Sequence, residues 1–306
     1  MTETPDERPP LTDADLAPID FGGGGDDAHY TPVTSEAQNV EINQMLAEQT
    51  PQAPQRDLPP DDHVNLLGGL KIGDRWVKTA TVRELNGDDE EALARVQQGA
   101  ENVSGRFLEV LVERGLVSVG GEKATKEIRD QLGVGDVNTI MVGIRTATFG
   151  PEIEYGTFKC DQCAEVYDLM VNVSELPTQT GHDAAREGEY FEVPLRKGGK
   201  AIARIPTHAD QVEIMEAETE MTTNPESNSM LLAKVVVRLV DAKGNEQNTA
   251  GFPSLIKGLS VGDRRTLIRE INKRIPGHQY TGVEFEHHCG YKTLVPVNLM
   301  SLFPGM

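Results

Sequence analysis

Two short turns constrain what this chain can become. Cys160-Asp161-Gln162-Cys163 is the first, and His287-His288-Cys289-Gly290, about 126 residues later, is its altered echo. The chain owns only three cysteines, and all of them fall in these two places. Such an echo predicts one metal site shared between two halves of a duplicated chain, because each turn alone supplies too few donors for a tetrahedral ion.

The duplication extends beyond the turns. Aligning Cys163 with Cys289 sets Val171 on Val297, Val173 on Leu299 and Leu176 on Leu302, so the apolar alternation after each turn is kept. Upstream, Leu132-Gly133-Val134-Gly135-Asp136 is matched by Leu259-Ser260-Val261-Gly262-Asp263. Farther back, the stretch from Arg83 to Asp89 faces the stretch from Arg204 to Asp210, and apolar runs at 107–119 and 230–240 follow in each half. Four matched blocks in the same order predict an α+β fold built as an internal tandem duplication. Each repeat is expected to hold a strand and helices and to end in a knuckle-bearing β-hairpin.

Composition divides the chain differently. Residues 1–65 hold 9 of the 18 prolines, a run of four glycines from Gly22 to Gly25, and 14 acidic against 2 basic residues. That stretch cannot bury enough apolar surface to offset the entropy of ordering it, and it reads as a disordered or extended arm with a helical turn near Val40, Ile42, Met45 and Leu46. The organisation that follows is an arm at 1–65, repeat 1 at 66–176, a polar linker at 177–190 and repeat 2 at 191–306.

Within each repeat, periodicity predicts a strand over 77–85 or 201–205, then a helix opened by acidic residues such as Asp88, Asp89, Glu90 and Glu91. The apolar runs 107–117 and 230–240 read as core helices. Asp136 and Asp263 are expected to cap the helix that follows each of them. Alternating Val, Tyr and Leu after each turn predicts the outgoing strand of a hairpin.

The expected ligands are Cys160, Cys163, His287 and Cys289, with His288 as the alternative and Glu286 a more distant one. Strict spacing from Cys289 would put Glu286 in the place of Cys160. Alignment of the incoming strands instead matches Phe158-Lys159-Cys160 to Phe285-Glu286-His287, and the longer imidazole compensates for a turn shortened by one residue. Zinc accepts this set of sulfur and imidazole donors, and four of them close the coordination sphere, which implies a structural ion. A redox Cys-x-x-Cys pair sits at a strand-to-helix junction, whereas this one is followed by a strand. The competing reading is two buried cysteines whose ancestral metal has been lost.

Other function classes find little support. No apolar run approaches the length of a membrane span, and no basic segment followed by an apolar one suggests a secretory signal. An odd number of cysteines argues against a disulfide framework and for a reducing cytoplasm. A net charge of −20 disfavours nucleic-acid binding. The basic run of Arg264, Arg265, Arg269, Lys273 and Arg274 reads as a solvated helix face partly balanced by its own acids. The glycines at 68, 69 and 73 and at 115–121 lack the Gly-Lys-Ser/Thr ending of a phosphate loop. His182, His208 and His278 read as surface residues, and no catalytic constellation is present.

The duplicated unit, with its Arg83-Glu84-Leu85-Asn86-Gly87-Asp88-Asp89 opening, apolar helix, Gly135-Asp136 helix start and Cys160/Cys163 hairpin, resembles the T4-type phage baseplate hub assembly family. The resemblance covers about residues 77–303. It departs from the family's Cys-Pro-x-Cys-Gly knuckles at Asp161, at Ala164 and at His287. It implies a non-enzymatic protein of the infected bacterial cytoplasm that acts in tail assembly, with phage baseplate hub or other tail proteins as partners. A permanent subunit of the virion baseplate is the alternative, and a zinc-ribbon regulator of host or prophage a second one.

Overall fold

The computed structural model describes residues 62–99, 103–180, 190–217, 224–249, 253–278, 283–295 and 302–303. Residues 1–61 of the arm expected at 1–65, with the helical turn near Val40, lie outside them. The fold is mixed α and β with antiparallel sheets.

It begins earlier than the sequence suggested. Strand β1 runs Asp62–Ile72 and pairs with β2, Arg75–Val82. Residues 62–65, assigned to the arm from composition, are therefore sheet, and the single strand expected at 77–85 is one arm of a hairpin. Helices α1 (Gly87–Gly99) and α2 (Val103–Gly115) follow, then β3 (Leu116–Val119) and β4 (Glu122–Lys123), a short helix α3 (Lys126–Gln131) and the long helix α4 (Val134–Phe149). A hairpin of β5 (Glu152–Lys159) and β6 (Val166–Asn172) closes this half, leading to β7 (Thr178–Gln179).

The same order recurs. β8 (Phe191–Pro194) and β9 (Lys200–Ala203) form a hairpin, and helices α5 (His208–Ala217) and α6 (Asn224–Val235) follow. Then come β10 (Val236–Val240), β11 (Glu246–Asn248), α7 (Pro253–Lys257), α8 (Val261–Asn272), the short β12 (Gly277–His278), and a hairpin of β13 (Val283–Glu286) and β14 (Lys292–Val295). The four-stranded sheets have matching orders, β1-β2-β3-β4 and β8-β9-β10-β11.

Matched side chains accompany the matched elements. Arg83 donates two hydrogen bonds to Asp89 at 2.8 and 3.0 Å, and Arg204 donates two to Asp210 at 2.5 and 2.9 Å. Each aspartate also accepts the backbone N–H three residues before it, from Asn86 or Thr207. Each arginine's own N–H reaches the last carbonyl of the second helix, Gly115 or Val235, at 2.9 Å. These bidentate pairs fix the angle at which the strand enters the helix.

Three local expectations are corrected. The apolar runs at 107–117 and 230–240 are not single helices: helix passes directly into strand at Leu116 and at Val236. A helix-forming run can switch because β-branched Val117, Val119, Val236 and Val237 suit a strand buried in a sheet. Asp136 does not cap its own helix. Its carboxylate, buried at the first turn of α4, accepts the N–H groups of Gly68 at 2.9 Å and Gly69 at 2.7 Å from the hairpin above. Asp263 does the corresponding work, accepting the N–H of Arg196 at 2.8 Å, while Ser260 caps α8.

The described residues form two apolar cores. One gathers α2, α4 and the first sheet around Phe107, Leu111, Ile140 and Ile144, and takes in Leu302 and Phe303 from the chain's far end. The other is centred on Leu232, Val235, Ile256, Leu267 and Ile271. The halves meet through backbone. Val134 donates its N–H to the Pro206 carbonyl at 3.1 Å and His208 donates to Leu132 at 2.8 Å. β7, from the segment read as a linker, pairs with β12. Gly135 is where α4 meets the second half most closely: a Cβ there would lie 1.4 Å from the Pro276 carbonyl oxygen.

Candidate metal centre

The two hairpins that close the halves carry the site at their tips. In the first, β5 and β6 pair from Glu152↔Asn172 to Lys159↔Val166, so Cys160 is the first residue of the turn. Its N–H donates to the Glu165 carbonyl at 2.8 Å, and the N–H of Ala164 donates back to the Cys160 carbonyl at 2.9 Å. In the second, the last strand pair is Glu286↔Lys292, and His287 is the first turn residue. Its N–H donates to Tyr291 at 2.8 Å and Gly290 donates back to it at 2.7 Å. The turns are the same device, one residue shorter in the second. His287 holds the place of Cys160, and Cys289 that of Cys163.

The residue after Cys163 and the residue after Cys289 are both left-handed: Ala164 has φ 59° and Gly290 has φ 84°. Glycine adopts that conformation without a Cβ clash, whereas alanine is strained there.

Four donor atoms converge. The Sγ atoms of Cys160 and Cys289 lie 3.6 Å apart, Cys163 Sγ lies 3.7 Å from His287 Nδ1, and Nδ1 lies 3.2 Å from Cys289 Sγ. All four lie within 4.8 Å of one another. With zinc–sulfur bonds of about 2.3 Å and zinc–nitrogen bonds of about 2.0 Å, the edges of a tetrahedron come to roughly 3.5–3.8 Å. The cluster could therefore hold a metal ion, and its donors are compatible with zinc. Cys160 and His287 are buried, Cys163 is exposed and Cys289 lies between.

Electrostatics around the sulfurs favours a cation. Desolvation works against the Cys160 thiolate, yet the N–H groups of Cys163 and Gln162 hold its pKa below the usual thiol value. The N–H of Glu165 favours the Cys163 thiolate, but desolvation and the crowding Cys160 and Cys289 sulfurs raise its pKa. Sulfurs this close disfavour one another's ionised forms, and a positive ion among them would remove that repulsion.

The surrounding shell joins the hairpins. Tyr167 from β6 stacks on Phe285 from β13 at 5.4 Å and covers the His287 ring at 4.5 Å. The Tyr291 hydroxyl donates to Asp161 at 2.9 Å, tying one turn to the other. Periodicity placed Tyr167 on an outgoing strand but could not show that it covers the imidazole.

The other sequence candidates are placed as follows. His288 is 66% exposed, with Nε2 3.0 Å from Glu165, and it groups with Glu165 and His287 rather than with the sulfurs. Glu286 lies on β13 within 3.4 Å of Lys292. Gly68 and Gly69 spend their N–H groups on Asp136, not on a phosphate. His208, read as a surface residue, is buried at the start of α5, because the polar stretch around it packs between the halves. His278 is half-buried beside Thr139. His182 lies outside the described residues. Among the described residues, no helix is long and apolar enough to cross a membrane.

Compared with known protein families, curated proteins and solved structures, the chain matches none.

Proposed function

We propose that the chain is a duplicated, zinc-clamped, non-enzymatic protein of phage tail assembly that binds baseplate hub components. The observation that carries this reading is the four-donor cluster, to which each half contributes the tip of its closing hairpin. The recurring order of elements and the matched Arg83–Asp89 and Arg204–Asp210 pairs support descent from one duplicated unit. A duplicated unit ending in a Cys-x-x-Cys hairpin is the pattern on which the resemblance to the baseplate hub assembly family rests.

The chemistry of the site supports a structural role. Four protein donors leave no open position where water could be activated, so the ion joins and does not hydrolyse. Held between two hairpins, it sets the relation of the halves to each other. The role that fits is to present a fixed surface to tail proteins.

The test is affinity capture of the full chain from an infected-cell lysate, with quantitative mass spectrometry of purified particles alongside. Recovery of hub or other baseplate proteins with the chain, and its absence from mature particles, would establish an assembly factor. Stoichiometric presence in particles would make it a baseplate subunit instead. Capture of no tail protein by the chain, together with its absence from particles, would contradict the proposal.

A further inference from the structure

A basic groove lies away from the metal centre, along α8. One face of that helix presents Val261, Arg264, Arg265, Ile268, Arg269 and Lys273, and it lines a cavity of about 900 Å³ between the starts of α4 and α6. The spacing is that of a single helical stripe.

The acids of α8 balance this face only in part, as the sequence reading expected. Asp263 is buried and accepts from Ser260 at 2.6 Å and from the Arg196 N–H. Glu270 pairs with two cations of the face, Lys273 at 3.0 Å and Arg269 at 3.6 Å, and with Arg274 at 2.8 Å; hydrogen bonds from Arg274 and Lys273 hold its carboxyl at about 2, and Arg264 and Arg265 are left to the groove. Arg264 donates to neutral acceptors, the Pro225 carbonyl at 3.0 Å and the Ser229 hydroxyl. Among the described residues, no carboxylate lines the groove and none forms an ion pair with Arg264 or Arg265. A cationic cleft in a chain of net charge −20 is a local reversal of the whole molecule's field.

We propose that this groove binds an extended acidic peptide segment with apolar anchors, supplied by a partner protein. Charge complementarity selects the acids. The aliphatic surface of Ile268 and of Val261, which is 65% exposed, offers ground for apolar side chains. The amides of Asn224, Asn228 and Asn272 on the walls can both donate to and accept from a peptide backbone. A nucleic-acid strand would meet the cations but leave the apolar surface of Ile268 and Val261 unused. The proposal rests on the groove alone and does not depend on the baseplate reading.

The experiment is fluorescence anisotropy with the full chain and short peptides in which Asp/Glu content and Leu/Val content vary independently, with oligo-dT as competitor. The exposed Arg265→Glu and Arg269→Glu substitutions together form the test variant, with its melting temperature and metal content checked against wild type. Binding should require both acidic and apolar residues, weaken with salt, and fall at least about tenfold in the variant. Equal binding by the variant, no binding by any peptide, or displacement by oligo-dT at lower concentration than by unlabelled acidic peptide would overturn the proposal.

Discussion

Cys160 and Cys289 bring their sulfurs to 3.6 Å across 129 residues of chain, each from the tip of a different hairpin. One ion closing so long a loop would restrict the unfolded chain as well as join folded elements. Structural zinc sites of this kind contribute on the order of 10 kcal/mol of apparent folding free energy. Replacing Cys163 by Ser is expected to lower both zinc content and melting temperature, read by elemental analysis and calorimetry.

The two neighbouring histidines should separate cleanly. His287 is buried with Nδ1 among the sulfurs, whereas His288 reaches out to Glu165. His287→Ala should lose the metal. His288→Ala should keep it, and its stability should stay within about 0.5 kcal/mol of wild type, as for an exposed ion pair. Metal-to-chain ratios of the two variants decide the matter.

Ala164 occupies a left-handed turn that its counterpart Gly290 adopts freely. Ala164→Gly is therefore expected to stabilise the first knuckle by about 0.5–1 kcal/mol, measured as a shift in the denaturation midpoint. A destabilisation would mean that the turn does not hold this conformation.

His208 gives the fold a pH dependence. Its ring is buried, neither nitrogen meets a partner among the described residues, and desolvation lowers its pKa from 6.5 to about 4. The folded state then favours the neutral ring, while the unfolded chain takes up a proton near pH 6.5. Stability is full above that pH and is lost as pH falls from 6.5 toward 4, by roughly 3 kcal/mol. His208→Leu should flatten that part of the stability–pH curve relative to wild type, in chemical denaturation across the range.

The Arg–Asp pairs act at lower pH. Burial opposes ionisation of Asp89 and Asp210, but hydrogen bonds from Arg83 and Arg204 outweigh it and hold both carboxyls below the usual value. Their contribution is present above about pH 4 and fades as pH falls through the lowered pKa values. Asp210→Ala should leave Arg204 without its carboxylate and cost roughly 3 kcal/mol or more at neutral pH. Urea denaturation at neutral and acid pH measures both effects.

The sequence displayed the site better than the scaffold. Donor identity survives any error in element boundaries, and matching the strand before each turn already set His287 on Cys160. Helix-to-strand switches at Leu116 and Val236 were hidden because an unbroken apolar run satisfies either structure, and only pairing in a sheet decides between them. Asp136 looked like a cap because aspartate at a helix start usually is one. Its true partners, Gly68 and Gly69, lie far back in the chain, where no local pattern could reveal them. The groove beside α8 was missed for a similar reason: composition counted Asp263 and Glu270 as counterions of the whole face, whereas the fold buries Asp263 against Ser260 and Arg196 and gives Glu270 to Arg269 and Lys273 but not to Arg264 or Arg265.

The central claim is that one ion is held jointly by the two hairpins. Metal content of the purified full chain, with X-ray absorption at the zinc edge, tests it directly. The account predicts one zinc per chain with three sulfurs and one nitrogen in its shell, lost when either Cys163 or Cys289 is replaced by Ser. A chain that binds no zinc, or whose zinc survives loss of the second hairpin's cysteine, would contradict it.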